Sequence, residues 1–157
     1  MKNIRLILLG ELVLIIIMFS FLLWLDQGIS SLAWFIDIPS LLMILFMLVC
    51  GLVIMGEWRD FIKAFSVGIR QYSLLELKNI IAAVDAAQKL TIFGALFSII
   101  ASGILVLGNL NDYSVIGPNL AICFLTGLYA VVIEFFLLPL RINAEIKMNE
   151  EMDLGDE

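Results

Sequence analysis

The chain has 157 residues, 62% of them hydrophobic and only 15% charged, with a mean hydropathy of +1.09. A soluble domain is about half apolar and roughly a quarter charged, so no water-soluble fold of this length hides so much apolar surface. A bilayer does, because a spanning helix takes ~20 mainly apolar residues and satisfies its own backbone hydrogen bonds. The net charge of −6 argues against a nucleic-acid partner, and much of it is local, gathered in Glu145, Glu150, Glu151, Asp153, Asp156 and Glu157 beside Lys147. Histidine is absent, which removes the usual general base near neutral pH, and covalent catalysis is not expected. Cys50 and Cys123 both lie in apolar runs without a CxxC or Cys/His cluster, so neither a disulfide framework nor a metal site is indicated.

In chain order, the first apolar run covers 4–25, too long for a signal-peptide core and not followed by a small-residue cleavage pattern. The second covers 38–56 and opens with Pro39, where a helix tolerates the missing N–H. The third covers 90–107 and the fourth 116–140, with Gly117 and Pro118 marking its start. The fold class expected is all-α and integral to the membrane, a single domain of four transmembrane helices.

Orientation follows from the nine basic residues. Lys2 and Arg5 lie at the start of the first run; Arg59, Lys63, Arg70, Lys78 and Lys89 lie between the second and third; Arg141 and Lys147 follow the fourth. The 26–37 and 108–115 connections carry only Asp26, Asp37 and Asp112. The positive-inside rule therefore puts both termini and the 57–89 segment in the cytoplasm. Trp24, Trp34 and Tyr113 then fall near the outer interface and Trp58 near the inner one, as aromatic belts require.

Within 57–89, Leu74, Leu77, Ile81 and Val84 recur at helical spacing, with Glu76, Lys78 and Asp85 on other faces. The spacing predicts a short amphipathic cytoplasmic helix, either lying on the inner membrane surface or serving as a docking face or an extension of the third span. The acidic tail, 143–157, reads as a solvated, disordered segment.

Two carboxylates interrupt the apolar runs, Glu11 in the first and Glu134 in the fourth. An ionised acid near mid-bilayer costs roughly 3 kcal/mol on insertion scales, so each needs a reason. Glu11 lies about two turns from the start of its helix, close enough to reach toward the headgroups. Glu134 continues a stripe with Thr126 and Ala130 along one helix face. It is read either as a neutral carboxyl in an interhelical hydrogen bond or as part of a proton or ion path. In the third run Gly94, Ser98 and Ser102 form a similar seam, read first as close helix packing and second as the lining of an oligomeric pore.

Three stretches resemble the A-subunits of ion-driven motors, the MotA/PomA, TolQ and ExbB family: FIDIPSLLMIL at 35–45, DFIKAFSVGIRQYSLLELKNIIAAVDAAQKL at 60–90, and GNLNDYSVIGPNLAICFLTGLYAVV at 108–132. The most specific element is IGP followed by LTxLY in one helix. The resemblance implies a bacterial inner-membrane protein in which third and fourth spans from five copies surround two single-span partner subunits, of the MotB or ExbD kind, whose acid carries H+ or Na+. It further implies that Gly94, Ser98, Ser102, Thr126, Ala130 and Glu134 face that partner, and that Pro139 kinks the cytoplasmic end of the fourth helix. Two departures stand out. The family's long cytoplasmic domain is largely missing, and Ile99 and Gly127 stand where the family lines its ion path with threonines, Thr126 being adjacent. A non-conducting membrane scaffold derived from that family is the alternative; a small four-span transporter is weaker, since neither an internal repeat nor paired broken helices occur.

Overall fold

A computed structural model of the protein describes residues 4–25, 35–111 and 113–155. Lys2, Asp26, Trp34, Asp112, Asp156 and Glu157, named above, lie outside the described residues. Among the described residues there are five helices and no strand: α1 (Ile4–Leu25), α2 (Ile38–Met55), α3 (Trp58–Ala64), α4 (Leu74–Gly108) and α5 (Tyr113–Gly155). The chain is a membrane-embedded helical protein: α2, α4 and α5 are long and apolar enough to cross a bilayer, and α1 carries a shorter apolar stretch, Leu6–Phe21.

Local chemistry sets the helix ends. The Asp37 carboxylate caps α2 by accepting from the Ser40 backbone N–H and hydroxyl, and Pro39 follows in the first turn. Gly56 closes α2 at φ 77, a left-handed conformation that a side chain disfavours, and its N–H bonds back to the carbonyls of Leu52 and Val53. Ser73 and Glu76 form a reciprocal capping box at the start of α4, and the hydrogen bonds from Ser73 hold the Glu76 carboxyl below its ordinary pKa.

Two helices are longer than the apolar runs that suggested them. The amphipathic segment is continuous with the third span, making α4 a single helix of 35 residues, or ~52 Å at 1.5 Å per residue. No Gly or Pro between Leu74 and Leu90 interrupts it. Its apolar face, Leu77, Ile80, Ala83, Val84 and Ala87, is buried inside the protein, so the reading of a helix lying on the membrane surface is corrected. Likewise α5 starts at Tyr113, ahead of Gly117 and Pro118, and runs 43 residues through Pro139 to Gly155. The acidic tail is therefore helical rather than disordered as far as Gly155. Ion pairs one turn apart support it, Arg141 to Glu145 at 2.9 Å and Lys147 to Glu150 and Glu151 at 3.3 and 3.1 Å.

The helices pack as an antiparallel α4–α5 pair with α2 lying mainly on α4 and α1 on α5. Gly94 of α4 lies against Ile44 and Met47, and Gly51 of α2 against Leu90. Continuing that register puts the end of α2 about level with Ala86. The buried core is not spread evenly along the bundle. Phe61, Ala64, Val67, Leu77, Ile80, Val84, Leu137, Leu140 and Ala144 cluster with the near ends of α1 and α2 at one end, hereafter the basic end because α3 and the basic residues of 57–89 lie there. Beyond it the helices expose Phe93, Phe97, Ile100, Ile104, Phe124 and Val131. Apolar burial is driven by water, and lipid gives no such drive between helices. Burial beyond that cluster is sparser, with Ile44, Ala95, Ser98 and Thr126 enclosed among largely exposed apolar faces, which suits a bundle whose basic end stands in water and whose remainder lies in hydrocarbon.

Candidate functional site: the polar seam between the long helices

The α4–α5 contact is the most extensive in the chain and holds most of the polar groups picked out by sequence. At its basic end the Gln88 amide donates to the Glu134 carboxylate across 3.1 Å. One turn further, Arg141 donates to Asp85 at 3.1 Å, and Asp85 also accepts from Lys89 at 2.6 Å. These contacts fix the register, and they place Glu134 level with the polar residues that precede the apolar run at Leu90. Gln88 went unnoticed in the sequence; an amide two residues ahead of an apolar run was its only signal.

Glu134 Oε2 is matched by Gln88, whereas Oε1 is buried without a hydrogen-bond partner among the described residues. Ser98 Oγ, on a buried residue of α4, is in the same condition. The neighbouring hydroxyls are satisfied within their own helices: Thr126 donates to the Ile122 carbonyl at 2.8 Å and Thr91 to the Ala87 carbonyl at 3.0 Å. Cys123 makes a weak contact at 3.7 Å to the Ile99 carbonyl, and the Ile99 side chain reaches Gly127. Cys50 and Cys123 are both free thiols.

The other expected site residues divide. A Cβ on Gly94 would sit 3.2 Å from Met47 Cβ and 3.4 Å from Ile44 Cα, so Gly94 is occupied by α2 of its own chain. The missing side chain is what lets α2 approach. Ser102, Gly127 and Ala130 are half-buried, and Thr126 is fully buried in the α5 face turned to α4. Pro139 is buried within unbroken α5, beside Leu140. Glu11 lies apart from the seam. Its neighbours Leu8, Leu9 and Leu12 share a cleft with Phe136, Leu137 and Leu140 of α5, which sets it toward the basic end as well. One of its carboxylate oxygens, Oε2, is buried without a partner among the described residues.

Beside the seam, Tyr129 joins α5 to the start of α2. Its hydroxyl donates to the Phe35 carbonyl at 2.8 Å and accepts from the Asp37 N–H at 2.6 Å, locking the chain just before α2. Tyr129 is the last residue of the LTxLY stretch, and this contact gives it a structural role.

The charge cluster outside the spans carries a pH signature. The hydrogen bond from Lys89, with Arg141 adding its charge, holds the Asp85 carboxyl below its ordinary pKa. A carboxyl lowered on folding stabilises above its unfolded pKa, ~3.9, and loses that contribution as pH falls through the folded value. The pair is partly exposed, so the effect is small and screened by salt. Thermal unfolding in detergent is expected to weaken below about pH 4, and Asp85→Asn to flatten part of that drop; an identical acid profile in the variant contradicts the assignment.

Comparison with protein-family models, curated proteins and solved structures gave no match to this chain.

Proposed function

We propose that the protein is a short A-subunit of an ion-motive-force-driven complex of the MotA/TolQ/ExbB type. Five copies form a ring around the transmembrane helices of a single-span B-subunit in a bacterial inner membrane, and H+ or Na+ flow is coupled to mechanical work. All four long helices cross, with both termini and the 57–89 segment cytoplasmic. The observation that carries the reading is the α4–α5 pair: two long antiparallel helices continue unbroken from apolar runs into the basic end, with two shorter helices packed outside them. That arrangement suits a ring lined by the third and fourth spans, with the continuous helices transmitting motion out of the bilayer. Glu134 and Ser98, each with a buried unpartnered oxygen, are the groups best suited to interact with a moving ion or partner.

A second reading, a non-conducting scaffold of the same architecture, is favoured by one feature. Glu134 is already engaged by Gln88, and the Thr91 and Thr126 hydroxyls are bound to their own helices. Reconstitution of the purified complex in liposomes under an imposed potential separates the two. Proton or sodium uptake supports the motor, whereas an assembled ring passing neither ion supports the scaffold.

The topology both readings need is tested by labelling in intact cells. Asn79→Cys and Asn109→Cys, at opposite ends of α4 in a background lacking Cys50 and Cys123, are expected to react from opposite sides of the membrane, with position 79 shielded from outside reagent. Labelling of position 79 from outside overturns the orientation.

A further inference from the structure

Past its apolar run α5 continues through 141–153, where charged residues return. Ile142 and Ile146 are nevertheless exposed there, at 45% and 50%. With Glu150 and Asp153 they recur at i, i+4, i+8 and i+11, which keeps the four within about 80° of one another around the helix. Ala144, by contrast, is fully buried in the core with Phe61, Ala64 and Val67. Ile142 and Ile146 each lie ~160° around the helix from Ala144, so their stripe points away from the α3 side of its own chain.

The α3 segment carries the opposite charge. Around α3 the exposed positions Arg59, Ile62 and Phe65 follow one another at intervals of ~60°, and Ile69 and Arg70 are exposed in the turn beyond. Lys63 pairs with Asp60 and Glu76, whereas Arg59 and Arg70 make no ion pair among the described residues. In α5 the single Lys147 meets both Glu150 and Glu151, and Asp153 makes no ion pair among the described residues. The two patches stand at one level. The Asn143 amide donates to the Val67 carbonyl at 3.1 Å, which sets the start of the acidic stripe beside the turn that carries Ile69 and Arg70.

We propose, resting on the ring reading above, that the 59–70 segment of one copy docks on the 142–153 face of the next. A ring axis along the membrane normal carries each residue round at constant height, so a head-to-tail contact joins faces that are level within one chain and point to different sides. Both conditions hold here. Charge complementarity selects the occupant. Anionic lipid headgroups suit Arg59 and Arg70 but are repelled by Glu150 and Asp153, whereas a second copy covers both patches at once, isoleucine against isoleucine and guanidinium against carboxylate.

The test is disulfide trapping between two co-expressed full-length chains with different tags, one carrying Ile69→Cys and the other Ile146→Cys, both lacking Cys50 and Cys123. Oxidation in membranes is expected to give a linked species bearing both tags, and no link between two copies of the same variant. Arg59→Glu with Arg70→Glu in both chains is expected to lower the linked fraction at least about tenfold, since like charges then face each other. Adding Glu150→Lys and Asp153→Lys is expected to restore it, which a variant that merely misfolds would not show. A complex with the mass of five chains but no mixed link overturns this contact and leaves the ring standing; a monomer removes both. Links between like cysteines as strong as the mixed one, an unchanged linked fraction in the arginine variant, or no restoration by the lysines also overturns the proposal.

Discussion

Gly94→Leu is expected to prevent α2 from docking and to leave little folded protein. The reason is the identity of the atoms it meets. A Cβ at this position already lies 3.4 Å from Ile44 Cα, which is backbone and cannot rotate away, and 3.2 Å from Met47 Cβ. Three further carbons have nowhere to go unless the helices separate, and separation also strips cover from Ile44 and Leu48, which α2 buries. Overpacking of a well-fitted contact costs about 1–3 kcal/mol, a large share of a marginal stability. Gly94→Ala asks for a shift of only a few tenths of an ångström and should cost about 1 kcal/mol. Gly103→Ala, with open space around it, should cost nothing measurable. Thermal unfolding in detergent across the three variants reads out the series; if leucine at 94 is tolerated as well as alanine at 103, the packing of α2 on α4 is wrong.

Glu134 should separate structure from function. Glu134→Gln keeps an oxygen able to accept from Gln88, so folding and assembly are expected to survive, whereas a role in carrying ions requires a group that ionises and is expected to be abolished. Glu134→Ala removes the acceptor and leaves the Gln88 amide unmatched at the helix seam, which costs about 1–3 kcal/mol in addition to the loss of flux. Gln88→Leu probes the other partner: Glu134 then has neither oxygen matched, and stability should fall by a comparable amount. Flux that persists in Glu134→Gln rules out a glutamate relay. Flux lost together with assembly in that variant shows instead that the carboxylate is structural.

Much of the helix framework could be read along the chain. The run at 4–25 is α1 itself, and Asp37–Pro39 and Gly56 bracket α2 with ordinary capping chemistry. The ends of α4 and α5 were harder. Polar residues such as Gln88 and Lys89 resemble a boundary when hydropathy is the guide, yet nothing at those positions breaks a helix. In the same way the acids after Lys147 resemble a solvated tail, but their spacing from Lys147 lets them brace the helix they belong to. The site was legible as a list of polar residues and not as an arrangement. Gln88 and Glu134 are 46 positions apart, and Tyr129 is 92 from Asp37, so no local pattern joins them. Gly94 shows the ambiguity most plainly, because a small residue in a spanning helix serves a neighbour in the same chain and a neighbour in another equally well, and only packing decides between them.

The central claim is that five copies of this chain build one ring around a single-span partner. Native mass spectrometry of the complex extracted from membranes measures it directly. The account predicts a mass of five chains with additional copies of a smaller co-purifying protein; a monomer or dimer as the sole species contradicts it.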